Sequence, residues 1–287
     1  MQDQRVLFAA AFTVCAWASA FIVIRSVHSA FTPGALALGR LLVGSTALSF
    51  AMIVRGSWVS ATRREWALVS LCGVLWFGAY NVALNGAERR IDAGTAAMLV
   101  NVGPILIALL AGWLLHEGFP RRLLVGAGIA FCGAILIGVA TTSHAPSDLW
   151  GVVLCLIAAG AYAIGVTAQK PALTRLPALQ VTQMACVIGA LVCLPFSGQL
   201  LTGLGHAGAS HVVEAVYLGL VPTAAAFGTW AYALSHTTAG RMSVTTYLVP
   251  PLTILAGWPL LGERPPALAL LGGLLALSGV ALTRRRG

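Results

Sequence analysis

The chain has 287 residues, a formal net charge of +9, 59% apolar residues and only 9% charged ones, against about 25% charged in an ordinary soluble domain. A soluble core of this length cannot hide so much apolar surface, whereas a bilayer accepts it directly. The basic residues sit in small groups between apolar runs rather than in one stripe, which argues for membrane orientation and against a nucleic-acid partner.

Taken in chain order, the apolar runs predict transmembrane helices near 6–26, 34–54, 66–86, 93–115, 122–140, 149–169, 179–196, 212–234, 240–261 and 267–283. Runs of about 20 residues cross the hydrocarbon layer as helices; barrel strands need only about ten. The first run, with Arg5 and Ala18-Ser19-Ala20, mimics a signal peptide. It continues to Ile24, however, and has a counterpart later in the chain, so it is read as a retained span. The breaks at 55–65, 88–92, 116–122, 141–148, 170–177, 197–211 and 262–266 hold charge, proline or turn residues. Cys15, Cys72, Cys132, Cys155, Cys186 and Cys193 all lie in apolar runs without C-x-x-C spacing, and read as small hydrophobes rather than disulfides or metal ligands.

With the N-terminus placed inside, inside segments hold 12 Lys and Arg and outside segments hold four, with Arg40 within a span. This bias predicts cytoplasmic termini at both ends. Trp58, Trp66 and Trp150 fall near span ends, where amphipathic rings favour the interface.

The chain also resembles itself. At an offset of 146, Ala93-Gly94 meets Ala239-Gly240, Pro104 meets Pro250, Glu117 meets Glu263, Pro120 meets Pro266, Gly126 meets Gly272 and Gly133 meets Gly279. At 145, Trp17 meets Tyr162 and Arg25 meets Lys170. This divides the chain into halves 1–140 and 141–287, each with five predicted spans. An odd number forces the second half to enter the membrane in the opposite sense, an arrangement used for alternating access. The predicted fold class is therefore an all-α integral membrane protein of ten transmembrane helices in two inverted five-helix repeats.

The pattern A-G-x9-P-x12-E-x2-P-x5-G-x6-G, running from Ala93 to Gly133 and again from Ala239 to Gly279, resembles the paired EamA repeats of the drug/metabolite transporter superfamily, over essentially the whole chain. The resemblance implies a central cavity between the repeats. It also implies export of amino acids or related metabolites across a bacterial inner membrane, the aromatic amino-acid exporter branch being the nearest. Small multidrug members of the superfamily depend on a Glu in their first helix. The run 6–26 has no acidic residue, which puts proton-coupled multidrug efflux of that kind in doubt.

Ionisable groups inside a bilayer are costly and therefore informative. All eight acids (Asp3, Glu65, Glu88, Asp92, Glu117, Asp148, Glu214 and Glu263) lie at span ends or in loops, which favours facilitated diffusion or exchange. Arg40 is the exception, roughly 9 Å into its span. It stands as either an anion contact for substrate or a structural Arg pairing with backbone carbonyls, and the resemblance implies the second. Candidate cavity residues are the polar Asn81, Asn101, Thr246 and Tyr247 and the aromatic Trp17, Tyr80, Tyr162 and Trp230. Interhelical hydrogen bonding and ordinary packing account for such residues equally well. Asn101 and Tyr247 are repeat-equivalent, each three residues before a proline, and carry the most weight. Pro104, Pro222 and Pro250 are expected helix breaks that free carbonyls around a cavity. Glu117 and Glu263 read as structural anchors to nearby arginines. No residue set suggests a cofactor, a metal or a catalytic centre, so the chain is not expected to be an enzyme. The expected partners are a small-molecule substrate and the bilayer, with a monomer or a homodimer both open. The alternative cargoes are nucleotide-sugars, sugar phosphates or drugs.

Overall fold

The computed structural model describes residues 2–27, 29–56, 58–90, 99–141, 149–261 and 267–284. Among them the secondary structure is helical throughout. Helices α1 (Gln2–Val27), α2 (Pro33–Arg55) and α3 (Arg63–Ala87) are followed by α4 (Gly103–Leu114), α5 (Arg121–Thr141) and α6 (Leu149–Ala172). Then come α7 (Ala178–His206) and α8 (Ala209–Ser235). Helix α9 runs Ala239–Val244, tightens to a 3-10 turn at Thr245–Leu248 and resumes at Val249–Leu261, and α10 is Ala267–Arg284. Six of these, α1, α2, α3, α6, α7 and α8, are long and apolar enough to cross a membrane. Phe8, Phe50, Ile53, Trp113, Leu149 and Leu201 are more than two-thirds exposed, an outer surface that suits lipid and not water. Trp58, Trp66 and Trp150 are also exposed near helix ends. The expected residues 93–98, and with them Ala93 and Gly94, lie outside the described residues, as does Glu263.

Local signals set the helix ends. Thr32 caps α2 by accepting from the Ala35 N–H (3.3 Å), Pro33 follows at the first turn, and Gly56 ends the helix at φ 62°. Thr62 and Glu65 form a reciprocal capping box at the start of α3. One boundary differs from expectation. Residues 197–211 are predicted as loop, yet α7 continues to His206. Pro195 sits in a three-residue 3-10 turn, Leu194–Phe196, where its missing N–H does not end the helix. The extension lays Leu200 against Gly39 of α2 and Gly203 against Phe31.

Turns tie together in two rims. At the first, Arg175 in the α6–α7 turn donates to Glu65 (Nε to Oε1, 2.8 Å) and to Ser60 O (2.7 Å). That hydrogen-bonded carboxylate holds the Arg175 guanidinium proton more tightly than usual. Gln180 exchanges two hydrogen bonds with the Val59 backbone (2.7 and 3.0 Å). Lys170 at the end of α6 donates to Leu234 O (2.7 Å) and Thr237 O (2.6 Å), satisfying carbonyls left open where α8 ends. The turn between α4 and α5 passes through left-handed backbone at His116 (φ 54°) and Gly118 (φ 72°). It brings the Glu117 carboxylate onto the first turn of α9, where it accepts from Ala239 N (2.8 Å) and Gly240 N (3.1 Å). A carboxylate at a helix N-terminus meets both open donors and the favourable end of the helix dipole. Glu117→Ala is therefore expected to cost about 1–3 kcal/mol and to lower the melting temperature of the detergent-solubilised protein. At the other rim, Asn85 Nδ2 near the end of α3 donates to Pro33 O (3.0 Å), and Ser26 donates to Glu214 (3.0 Å).

Close contacts recur at the offsets seen in the sequence. A Cβ on Gly73 of α3 would sit 2.7 Å from Ala185 O and 2.8 Å from Ile188 Cβ; one on Gly219 of α8 would sit 2.9 Å from Arg40 O and 2.5 Å from Val43 Cβ. A Cβ on Gly44 would sit 3.2 Å from Gly219 O, and one on Gly189, 145 residues on, would sit 3.2 Å from Gly73 O. Helices α5 and α10 cross backbone to backbone. Gly133 faces Gly272 O and Ala276 N, while Gly279 faces Gly126 O and Ala130 N. Small residues permit this approach, which in lipid replaces the hydrophobic drive between helices.

Candidate functional site

The centre of the bundle is an aromatic cluster contributed by α1, α3, α6 and α8. Trp17 packs on Trp230 (ring centroids 5.1 Å) and edge-on to Trp76 (6.1 Å) and Phe227 (5.4 Å). Trp76 lies 5.3 Å from Tyr162 and 5.6 Å from Trp230, and Tyr80 lies 5.9 Å from Tyr162. The pairs are edge-to-face or tilted, with no face-to-face sandwich among them, as ring quadrupoles prefer. Glycines make room for the rings. A Cβ on Gly165 would sit 2.6 Å from Trp76 Cβ, and one on Gly103 would sit 2.7 Å from Tyr162 Cδ1.

Two π-helical segments position these rings: Gly73–Ala79 in α3 and Gly219–Ala225 in α8, 146 residues apart. A π-turn leaves carbonyls poorly paired, and polar side chains take them. Asn81 Nδ2 donates to Phe77 O (2.7 Å) and Trp76 O (3.4 Å). In the other segment, Trp17 Nε1 donates to Pro222 O (3.2 Å). Pro222 has no N–H for Leu218 O. The Thr223 hydroxyl donates to that carbonyl instead (2.8 Å) and accepts from Arg40 Nε (3.0 Å). Arg40, 5% exposed, thus braces the proline break through Thr223. Thr223→Val leaves both Leu218 O and Arg40 Nε without this partner. It is expected to cost about 1–3 kcal/mol, read as a lowered melting temperature.

The predicted polar positions gather one layer away. Tyr247, fully buried, donates its hydroxyl to Asn101 O (3.0 Å), so the two repeat-equivalent residues touch. Asn101 occupies a turn just before α4, and Tyr247 the 3-10 turn of α9 at the matching position. Thr246 donates to Ser243 O (2.7 Å), and Ser243 donates to Pro104 O (3.2 Å). Pro104 and Pro250 are buried in the first turns of the helical segments that follow these breaks. The Tyr162 hydroxyl faces the Thr246 side chain.

Two buried donors in the aromatic cluster close no hydrogen bond with the described residues: Tyr162 OH and Trp230 Nε1. A buried unpaired donor costs about 1–3 kcal/mol, so this is where an incoming polar group gains most. Among the described residues, Arg40 and Glu65 are the buried formally charged ones, and Glu65 belongs to the capping box at a rim. No group of three His, Cys, Asp or Glu suited to a metal occurs among the described residues. Trp76, Phe77 and Phe227 are members of the cluster that the sequence reading missed. Trp76 lies four residues before Tyr80 and Phe227 three before Trp230, spacings that share a helix face.

An apolar outer surface around a buried aromatic centre with open hydrogen-bond donors defines a multi-pass membrane protein of the solute-carrying class. The model of the EamA-like transporter family matches residues 4–139 and again 149–285. The chain belongs to that family, within the drug/metabolite transporter superfamily. It is 35% identical to a probable terminal-alkyne amino-acid exporter of Streptantibioticus cattleyicolor, over all of this chain and 95% of that one. It is 32% identical to the uncharacterized transporter YdfC of Bacillus subtilis, over 93% and 87% of the two chains. It is 25% identical to a probable amino-acid metabolite efflux pump of Salmonella typhimurium, over 95% and 92%. A crystal structure 19% identical in sequence superposes with a TM-score of 0.79, covering 97% of this chain and 96% of that one. This likeness extends to the fold alone.

Proposed function

We propose that the chain exports amino acids, aromatic and compact apolar ones included, by alternating access between two inverted five-helix halves, 1–140 and 141–287. The observation that carries this is the pair of unpaired donors, Tyr162 OH and Trp230 Nε1, inside an aromatic cluster. Rings receive an apolar side chain, and the donors receive the backbone carboxylate. The printed names of two relatives, an amino-acid exporter and an amino-acid metabolite efflux pump, favour the same class. The two-half reading, with ten crossings, draws support from the glycine contacts that recur at 145 and 146 and from the Tyr247–Asn101 hydrogen bond. The rim that holds Arg175, Lys170 and Arg241 is assigned to the cytoplasm of a bacterial cell, with both termini, because basic residues concentrate there. Coupling is by diffusion or exchange, since the aromatic centre has no carboxylate among the described residues.

Counterflow into liposomes with a panel of tryptophan, phenylalanine, leucine, an alkyne-bearing amino acid, a sugar phosphate and a nucleotide-sugar tests this. Uptake of the amino acids is expected. Uptake of only the phosphorylated cargoes overturns the substrate class, and a proton current strictly tied to substrate flux overturns the mode of coupling.

A further inference from the structure

We infer that a groove at the basic rim binds the headgroup of an anionic phospholipid. The groove encloses about 370 Å³ between the end of α2, the α6–α7 turn and the last two turns of α8. Its lining includes none of the rings Trp17, Trp76, Tyr80, Tyr162 and Trp230, although Leu173 and Leu176 belong to the same apolar core. Pro177, Ala178, Leu179 and Tyr232, all half-buried, form an apolar wall over the buried Leu173 and Leu176, and the exposed Arg55 and His236 line the groove as well. A phospholipid pairs the matching chemistries, acyl chain and phosphate, and helix ends meet the membrane at the headgroup level.

The charges at this rim leave an anion wanting. The two acids described there are engaged: Glu65 with Arg175, and Glu117 with the first turn of α9. Arg55, the last residue of α2, has no carboxylate partner among the described residues. The His236 ring packs on Tyr232 (centroids 4.5 Å), and its Nδ1 lies 2.8 Å from Tyr232 O. The same nitrogen lies 2.9 Å from Ser235 Oγ, which leaves Arg55 as the formal cation of the groove. Gly228 lines the groove one helical turn before Tyr232, and a Cβ built on it meets nothing within 4 Å. The space is therefore real at backbone level and can be filled without disturbing the packing. A free phosphate would pair with Arg55 and leave the half-buried apolar wall uncovered, which is why the lipid is the occupant assigned.

The test uses the full-length protein purified in detergent, with native mass spectrometry for retained lipid and thermal melting for stabilisation. The probes are phosphatidylglycerol, phosphatidylcholine and inorganic phosphate. Phosphatidylglycerol is expected to be retained and to raise the melting temperature, with phosphatidylcholine and phosphate giving little of either. Arg55→Gln is expected to weaken phosphatidylglycerol retention about fivefold, the effect of one basic residue near an anionic headgroup. Gly228→Leu should remove retention while leaving the melting temperature of lipid-free protein unchanged. Arg63→Gln, at the same rim but outside the groove, should behave as wild type. Equal retention of phosphatidylglycerol by wild type, Arg55→Gln and Gly228→Leu overturns the proposal. So does equal stabilisation by phosphatidylcholine, or a full melting shift from inorganic phosphate alone.

Discussion

Gly133→Leu is expected to be among the most damaging single substitutions in the chain, and Gly128→Leu, five residues earlier on the same helix, among the most benign. A Cβ at 133 would lie 2.5 Å from Ala276 N and 2.6 Å from Gly272 O, both backbone atoms of α10. No side-chain rotation relieves such a contact, so α5 and α10 must separate. Overpacking of this kind costs about 1–3 kcal/mol where neighbours can adjust and more where they are backbone. Separation would also forfeit the close packing that holds helices together in lipid. Gly279→Leu should behave like Gly133→Leu, because its Cβ would meet Ala130 N and Gly126 O, each at 2.5 Å. At Gly128 a Cβ meets nothing within 4 Å, and replacing glycine in a helix is mildly favourable. Size-exclusion profiles and melting curves of the three variants in mild detergent check this. A well-folded Gly133→Leu protein would mean that the crossing is looser than the distances require.

The second large effect separates function from stability. Tyr162→Phe and Trp230→Phe each delete a buried donor that closes no hydrogen bond with the described residues while keeping an aromatic ring in the cluster. Removal of an unsatisfied polar group is neutral or stabilising, so Tyr162→Phe should melt at or above the wild-type temperature. Trp230→Phe also loses ring volume and should melt slightly lower. On the transport reading, each donor pairs with the carboxylate of the cargo. A hydrogen bond to a charged group is worth about 1.5–3 kcal/mol, which is roughly 10- to 150-fold in affinity. Counterflow measured across substrate concentration should show that loss in apparent affinity. Intact transport with lowered stability in Tyr162→Phe would mean that the hydroxyl serves the fold and not the solute.

Helix positions were largely written in the composition. The runs at 34–54, 66–86 and 212–234 correspond to Pro33–Arg55, Arg63–Ala87 and Ala209–Ser235, because lipid selects for apolar side chains all around a helix and loops carry what lipid rejects. The region after residue 196 was misread for the converse reason. Its glycines and polar residues look like loop, and only the packing of Leu200 and Gly203 on neighbouring elements makes it helix. In the site, Trp17, Tyr80, Tyr162 and Trp230 were visible as aromatics away from the helix ends. Trp76 and Phe227 were not, although their spacing to Tyr80 and Trp230 held the signal. Arg40 stood out as a charge inside a span, but its partner Thr223 lies 183 residues away. The clue to its role was Pro222, whose missing N–H strands a carbonyl that a nearby hydroxyl and cation then serve. Asn81 stood out as an amide inside a span, and its Nδ2 donates to carbonyls of its own helix. No local pattern announces that a helix will take a π-turn.

The paired π-segments also bear on history. A π-turn absorbs one residue more than the α-helical turn it replaces, so each segment is the trace of a single added residue. Both occupy the same register, Gly73–Ala79 and Gly219–Ala225, and the family model matches the chain twice across them. On the two-half reading proposed above, one insertion copied when a half-length gene doubled accounts for both with fewer events than two independent gains, and the surplus residue would then be older than the doubling.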